Sequence, residues 1–146
     1  MRIWHFALLP YLPRQQLLAQ WRELNAIYAN QPSHILINYV YDYPKSCLFY
    51  YSMLVIEEMN KRGYTPELNE GFNKYFTRDD SKSAMLFQRD ANPFPDHHTD
   101  RYLKQCFYNL QEKFDRGQKG FTQEQYDKLE EFVFGKEKRK WKTNTI

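Results

Sequence analysis

The chain has 146 residues, a length that fits one domain with one core. Its formal net charge of +3 permits a polyanionic partner without demanding one, and neither a basic leader followed by a sustained apolar run nor a membrane-length apolar segment is present. Aromatic side chains are abundant, with 12 Tyr, 11 Phe and 3 Trp, enough bulk for a helical core with rings left over for exposed faces. The two cysteines, Cys47 and Cys106, sit inside apolar helical patterns and match no zinc spacing. They read as buried free thiols of a cytoplasmic protein.

Met1 to Tyr11 is short, apolar and closed by a proline, so it is expected to pack into the core rather than fray. Arg2 is too large a neighbour for ordinary removal of an initiator methionine. Met1 is therefore expected to remain, with its α-amine as the chain end. From Pro13 the pattern turns helical. Leu17, Leu18, Trp21, Leu24 and Tyr28 recur at helical spacing, and Pro13 suits the first helical position. The other side carries Gln15 and Arg22 one heptad apart, beside Gln16 and Glu23, also a heptad apart. The plain reading of that strip is a solvated face. The chemical reading is a carboxylate at an apolar edge, beside a guanidinium and amides, suited to proton transfer.

Residues 30–45 contain Pro32, Pro44 and a β-branched, aromatic run, and read as a packed connection. Ser46 to Arg62 is the second helix, with Leu48, Tyr51, Val55 and Met59 on one face and Gly63 as a left-handed stop. Tyr64 to Pro95 reads as irregular, apart from a short helical turn near Ser83 to Arg89. Asp100 to Arg116 is the third main helix, along Leu103, Cys106, Phe107, Leu110 and Phe114. Thr122 and Gln125 form a capping box for a fourth helix that runs to Phe134. Residues 136–146 are a basic tail with Trp141 among lysines. The expected architecture is all-α: one compact bundle, residues 1–146, of three main helices plus an additional C-terminal helix, with the N-terminal segment packed against them.

The string Gln15-Gln-Leu-Leu-Ala-Gln-Trp-Arg-Glu-Leu24 resembles the first helix of the phage-type pyrimidine-dimer DNA glycosylases, the endonuclease V of DNA repair. Glu58-Met-Asn-Lys-Arg-Gly-Tyr64 is similar to the end of that family's second helix. The opening Met-Arg-Ile-Trp-His and Tyr11-Leu-Pro-Arg-Gln-Gln-Leu-Leu18 are closer still to its bacterial members. The likeness covers roughly residues 1–64.

The resemblance implies an all-α DNA glycosylase with AP-lyase activity and neither cofactor nor metal. The N-terminal α-amine, here that of Met1, attacks the anomeric carbon of the damaged nucleotide. Glu23 matches the catalytic carboxylate and Arg22 its basic neighbour. An α-amine titrates at about 7.7–8.0 against about 10.4 for lysine, so its free-base fraction at neutral pH is larger by roughly two orders of magnitude. A chain terminus is thus a ready Schiff-base nucleophile.

The expected partner is double-stranded DNA containing a lesion, bound by a monomer in the cytoplasm, associated with the nucleoid. Arg2, Gln15, Arg22, Lys113, Lys140 and Trp141 are the expected DNA contacts, the last as a base-stacking ring. The chain departs from the phage pattern at Gln16, where the family has His, and at Ala26, where it has Arg. Both departures bear on lesion preference and phosphate grip. Two alternatives stand beside this reading. One is a helical DNA-binding module without chemistry. The other is a metal nuclease built on His97 and His98, although adjacent helical residues point apart and chelate poorly. Asp96, Thr99 and Asp100 also fit ordinary helix caps.

Overall fold

A computed structural model describes residues 1–135 and the backbone of Lys142–Thr143. The chain is all-α. After an extended start, Phe6–Tyr11 forms a 3-10 turn, followed by α1 (Arg14–Asn30), a second 3-10 turn (Asn38–Asp42), α2 (Lys45–Lys61), α3 (Glu70–Tyr75), α4 (Arg78–Met85), α5 (Asp100–Asp115) and α6 (Gln123–Phe134). The only extended pairing among the described residues is a two-residue parallel bridge between Ala91–Asn92 and Lys142–Thr143.

Of the long helices, α5 and α6 begin with side-chain caps, whereas α1 and α2 each begin after a proline without one. Pro13 and Pro44 stand one residue before α1 and α2, as N-caps rather than first helical residues, and their carbonyls accept the first helical bonds. Thr99 caps α5 through the Tyr102 N–H. At α6 the expected capping box forms, with Thr122 and Gln125 each accepting from the other's backbone. Gly63, at φ +92°, supplies the left-handed step after α2. Gly135 closes α6 differently: its N–H bonds to Glu131 O at 2.8 Å, and a β-carbon there would meet that oxygen at 2.5 Å.

The segment 64–95 holds more structure than its sequence suggested. Instead of a turn near 83–89 it contains α3 and α4. Asn69 caps the first of these, and a reciprocal Thr77–Asp80 capping box starts the second. Aspartate in place of the usual Glu or Gln closes that box. α3 packs on α1, α4 packs on α2, and α5 pairs with α6. Between them lies one core that includes Ile3, Leu8, Leu17, Leu24, Tyr51, Val55, Phe94, Leu103, Phe107 and Leu129. The N-terminal segment is part of that core, as expected, since residues 3–6 are all buried. Arg62 helps to pin it, bonding Leu12 O at 2.8 Å while paired with Glu58. No helix among the described residues is long and apolar enough to cross a membrane.

Candidate active site

The buried face of α1 is not wholly apolar. Gln20 stands on it, fully buried between Leu17 and Leu24. A buried carboxamide must find partners for its donors and its acceptor, and Gln20 finds them in the N-terminal segment. Its Nε2 donates to Arg2 O at 3.0 Å, and its Oε1 accepts the Trp4 N–H at 2.8 Å. Those two contacts fix which end of the amide is which. Nε2 also stands 3.4 Å from Glu23 Oε2, and the same carboxylate oxygen accepts the Arg2 N–H at 3.2 Å.

Two tyrosines complete the hold on this strand. Tyr51 on α2 lies with its hydroxyl 2.7 Å from Trp4 O and 2.9 Å from Gln20 Oε1, sharing one proton between them. Tyr102 on α5 donates to Ile3 O at 2.6 Å. Burial drives the phenols of both tyrosines above their ordinary range, so they remain protonated donors.

The consequence for the first residue follows from covalent geometry. Three bonds join the Met1 nitrogen to the Arg2 nitrogen, a span of at most about 3.7 Å. With the Arg2 nitrogen 3.2 Å from Glu23 Oε2, the Met1 nitrogen lies within roughly 7 Å of the carboxylate. Met1 is 39% exposed while Ile3 is fully buried. The chain thus emerges from the core at its first residue, beside a carboxylate that is itself only partly buried.

The strip on α1 divides in two. Gln16, Gln20 and Glu23 turn toward the chain itself. Gln16 forms a reciprocal amide pair with Gln118, at 3.0 and 2.7 Å. Gln15 and Arg22 are exposed, about 100° around the helix from Glu23. The neighbour that touches Glu23 is therefore Gln20, not the guanidinium. Arg2 is half-buried, its guanidinium 5.7 Å from the ring centres of both Trp4 and Tyr102. Lys113 lies near the end of α5, and its carbonyl accepts the N–H of Gln118. Gln118 is also the residue whose side chain pairs with Gln16 near the start of α1. Lys140 and Trp141 lie outside the described residues.

His5 and His98, neither of them singled out by sequence for such a role, fasten the next stretch. His98 Nδ1 accepts the Phe6 N–H at 3.0 Å, and its Nε2 is 2.8 Å from the Tyr39 hydroxyl. His5 Nδ1 accepts the Ala7 N–H, leaving Nε2 to donate to His98 O at 3.1 Å. Each ring needs an unprotonated Nδ1 for its backbone bond. Burial agrees with this, lowering His5 to about 4 and His98 well below the usual histidine range. Both nitrogens of His98 are engaged, so it has no lone pair to offer a metal. His97 is exposed and stacked on Tyr39 at 4.4 Å, with Nδ1 2.9 Å from the Tyr43 hydroxyl. The two rings serve different ends, and the metal-nuclease pattern dissolves into a core residue and a surface stack. Among the described residues no group of three or more His, Cys, Asp or Glu side chains converges as a metal site. Both cysteines are free thiols; Cys106 is buried, whereas Cys47 is only partly so.

A family model described as pyrimidine dimer DNA glycosylase matches residues 1–69. Over that stretch, just under half of the chain, the sequence is similar to the pyrimidine dimer DNA glycosylase family. The matched stretch holds Arg2, Gln20, Glu23 and Tyr51, while the glycosylase match stops short of His98, Tyr102 and Lys113. No curated protein and no solved structure matches the chain.

Proposed function

We propose that the protein is a DNA-repair glycosylase with AP-lyase activity, in which the Met1 α-amine is the nucleophile and Glu23 the proton-handling carboxylate. The observation that carries this reading is the Arg2–Glu23 contact, which tethers the first residue to the acid. In the first step the amine nitrogen attacks C1′ of the damaged nucleotide. The glycosidic bond breaks, its electron pair leaves with the base, and the base takes up a proton. The adduct loses a proton from nitrogen as the sugar ring opens, O4′ becoming a hydroxyl and C1′ an iminium. Loss of a C2′ proton to a base then expels the 3′ phosphate oxygen, nicking the strand. Glu23 is suited to stabilise positive charge developing on the sugar and then to accept the C2′ proton.

Base removal requires the target nucleotide to leave the stack. Deforming the duplex costs on the order of 1–6 kcal/mol, which phosphate contacts must offset. The exposed Gln15 and Arg22 are proposed contacts for that purpose, with Arg2, Lys113, Lys140 and Trp141 as further ones. The substrate class is double-stranded DNA carrying a lesion, and the match of residues 1–69 to the pyrimidine dimer glycosylase model supports a pyrimidine dimer as that lesion. The Gln16–Gln118 pair stands where phage members have His, a difference that bears on lesion preference.

The test is borohydride trapping on a panel of dimer, abasic and oxidised-base duplexes. A covalent adduct is expected with the dimer and abasic duplexes. Salt-dependent binding with no adduct on any duplex would overturn the mechanism and leave a DNA-binding module.

A further inference from the structure

We infer that Gln20 is a positioning residue of this reaction, a side-chain amide that pairs with the backbone of the N-terminal segment and sets where the first nitrogen stands relative to Glu23. The inference rests on the proposed glycosylase reading. Its physical basis is the pairing pattern. Nε2 donates to Arg2 O and Oε1 accepts from Trp4 N, the two groups that flank Ile3. That is how a neighbouring strand would pair with an extended segment, giving one N–H and taking another. Here one carboxamide, held by a helix, replaces the strand.

The arrangement ties together three things that must be in register. The amide holds the backbone of Arg2 and Trp4, one and three residues beyond the proposed nucleophile. It approaches the same Glu23 oxygen that holds the Arg2 N–H. The Tyr51 hydroxyl, 2.9 Å from Oε1, joins α2 to the same point. Every polar atom of Gln20 is used, and the residue is fully buried, so it cannot itself reach the DNA. Its effect on catalysis passes through Met1 and Glu23. A displacement of about 1 Å between reacting groups can cost on the order of 100-fold in rate.

Two substitutions separate positioning from simple stabilisation. Gln20→Met fills the space but leaves Trp4 N–H and Arg2 O unpaired. Gln20→Glu, once protonated, again offers one acceptor and one donor to the same two groups. The single-turnover adduct yield on an abasic duplex is measured from pH 8 to pH 5, with duplex affinity and the hydrogen exchange of the Trp4 amide followed in parallel. Gln20→Met is expected to trap roughly 100-fold more slowly than the wild-type chain at unchanged duplex affinity. Its Trp4 amide should exchange faster. The ratio of the Gln20→Glu rate to the Gln20→Met rate should rise as pH falls.

A Gln20→Met chain that traps at the wild-type rate, or a ratio flat with pH, overturns the inference. If Gln20→Met does not fold, the Gln20→Glu profile relative to wild type decides in the same way. A wild-type chain that forms no adduct overturns the glycosylase reading instead. The Trp4 amide then still decides whether Gln20 holds the terminus, and equal protection in both chains overturns that as well.

Discussion

The N-terminal segment and α6 are both short pieces laid on the same core, yet they are held by different forces. α6 is fixed by an apolar stripe of Tyr126, Leu129 and Val133, with Tyr126 stacked on Phe114 at 4.4 Å. Residues 2–6 also bury apolar side chains, but their backbone is gripped as well. Gln20, Tyr51, Tyr102 and His98 each bond a main-chain atom of the segment. Apolar contact is non-directional and tolerates sliding by a fraction of an ångström. Hydrogen bonds to backbone N–H and C=O groups do not. A helix that only completes a core needs the first kind of hold. A chain end proposed to present its nitrogen to a carboxylate needs the second.

The sharpest way to break this contrast is at the acid. Glu23→Gln keeps an oxygen for the Arg2 N–H and so preserves the geometry, but removes the proton-accepting group. Strand cleavage is expected to fall by about 10²–10⁴-fold while duplex binding survives; a nicking assay with a parallel binding titration checks both. On the other side of the contrast, Leu129→Ala in α6 is expected to cost about 2–5 kcal/mol of stability. The adduct rate per folded molecule should not change, as urea unfolding and trapping at a permissive temperature would reveal.

Acid tests the grip on residues 5–7. His5 titrates near 6.5 when unfolded and at about 4 when folded. The unfolded chain therefore binds the extra proton first. The full contribution to stability is present above pH 6.5 and is lost as pH falls toward 4, on the order of 3 kcal/mol. His98, lowered by burial and by the neighbouring His5 and His97, acts in the same direction. Urea midpoints should fall over that window, and His5→Asn should flatten the fall. The smallest effects belong to the exposed cations. Arg22→Ala and Lys113→Ala should each lower the salt slope of duplex binding by about 1, leaving the trapped fraction at saturation unchanged.

The four longer helices were legible because each carries its apolar residues at helical spacing and ends on a recognisable cap, with Thr122 and Gly63 the clearest. α3 and α4 were not, being six and eight residues long with mostly polar sequences. Their identity lies in Asn69 and in the Thr77–Asp80 box, where Asp substitutes for a longer acid. Glu23 as a candidate residue was legible through family resemblance, carried by the motif around Trp21-Arg-Glu. The residue bonded to both the N-terminal backbone and Glu23 was not. Gln20 has the composition of a solvated helix position, and its partners at Arg2 and Trp4 lie 18 and 16 residues away. A glutamine flanked at three and four residues by Leu17 and Leu24 was the available signal. Histidine 98 was hidden for a similar reason. Its neighbours Asp96, His97 and Asp100 suggested ligands or caps, whereas its bonding partner Phe6 is 92 residues away.

The most direct measurement is to reduce the adduct formed with an abasic duplex, digest the protein, and locate the deoxyribose remnant by mass spectrometry. The account predicts the added mass on the α-nitrogen of the Met1 peptide. A remnant found on a lysine side chain instead, with the terminal nitrogen unmodified, would contradict it.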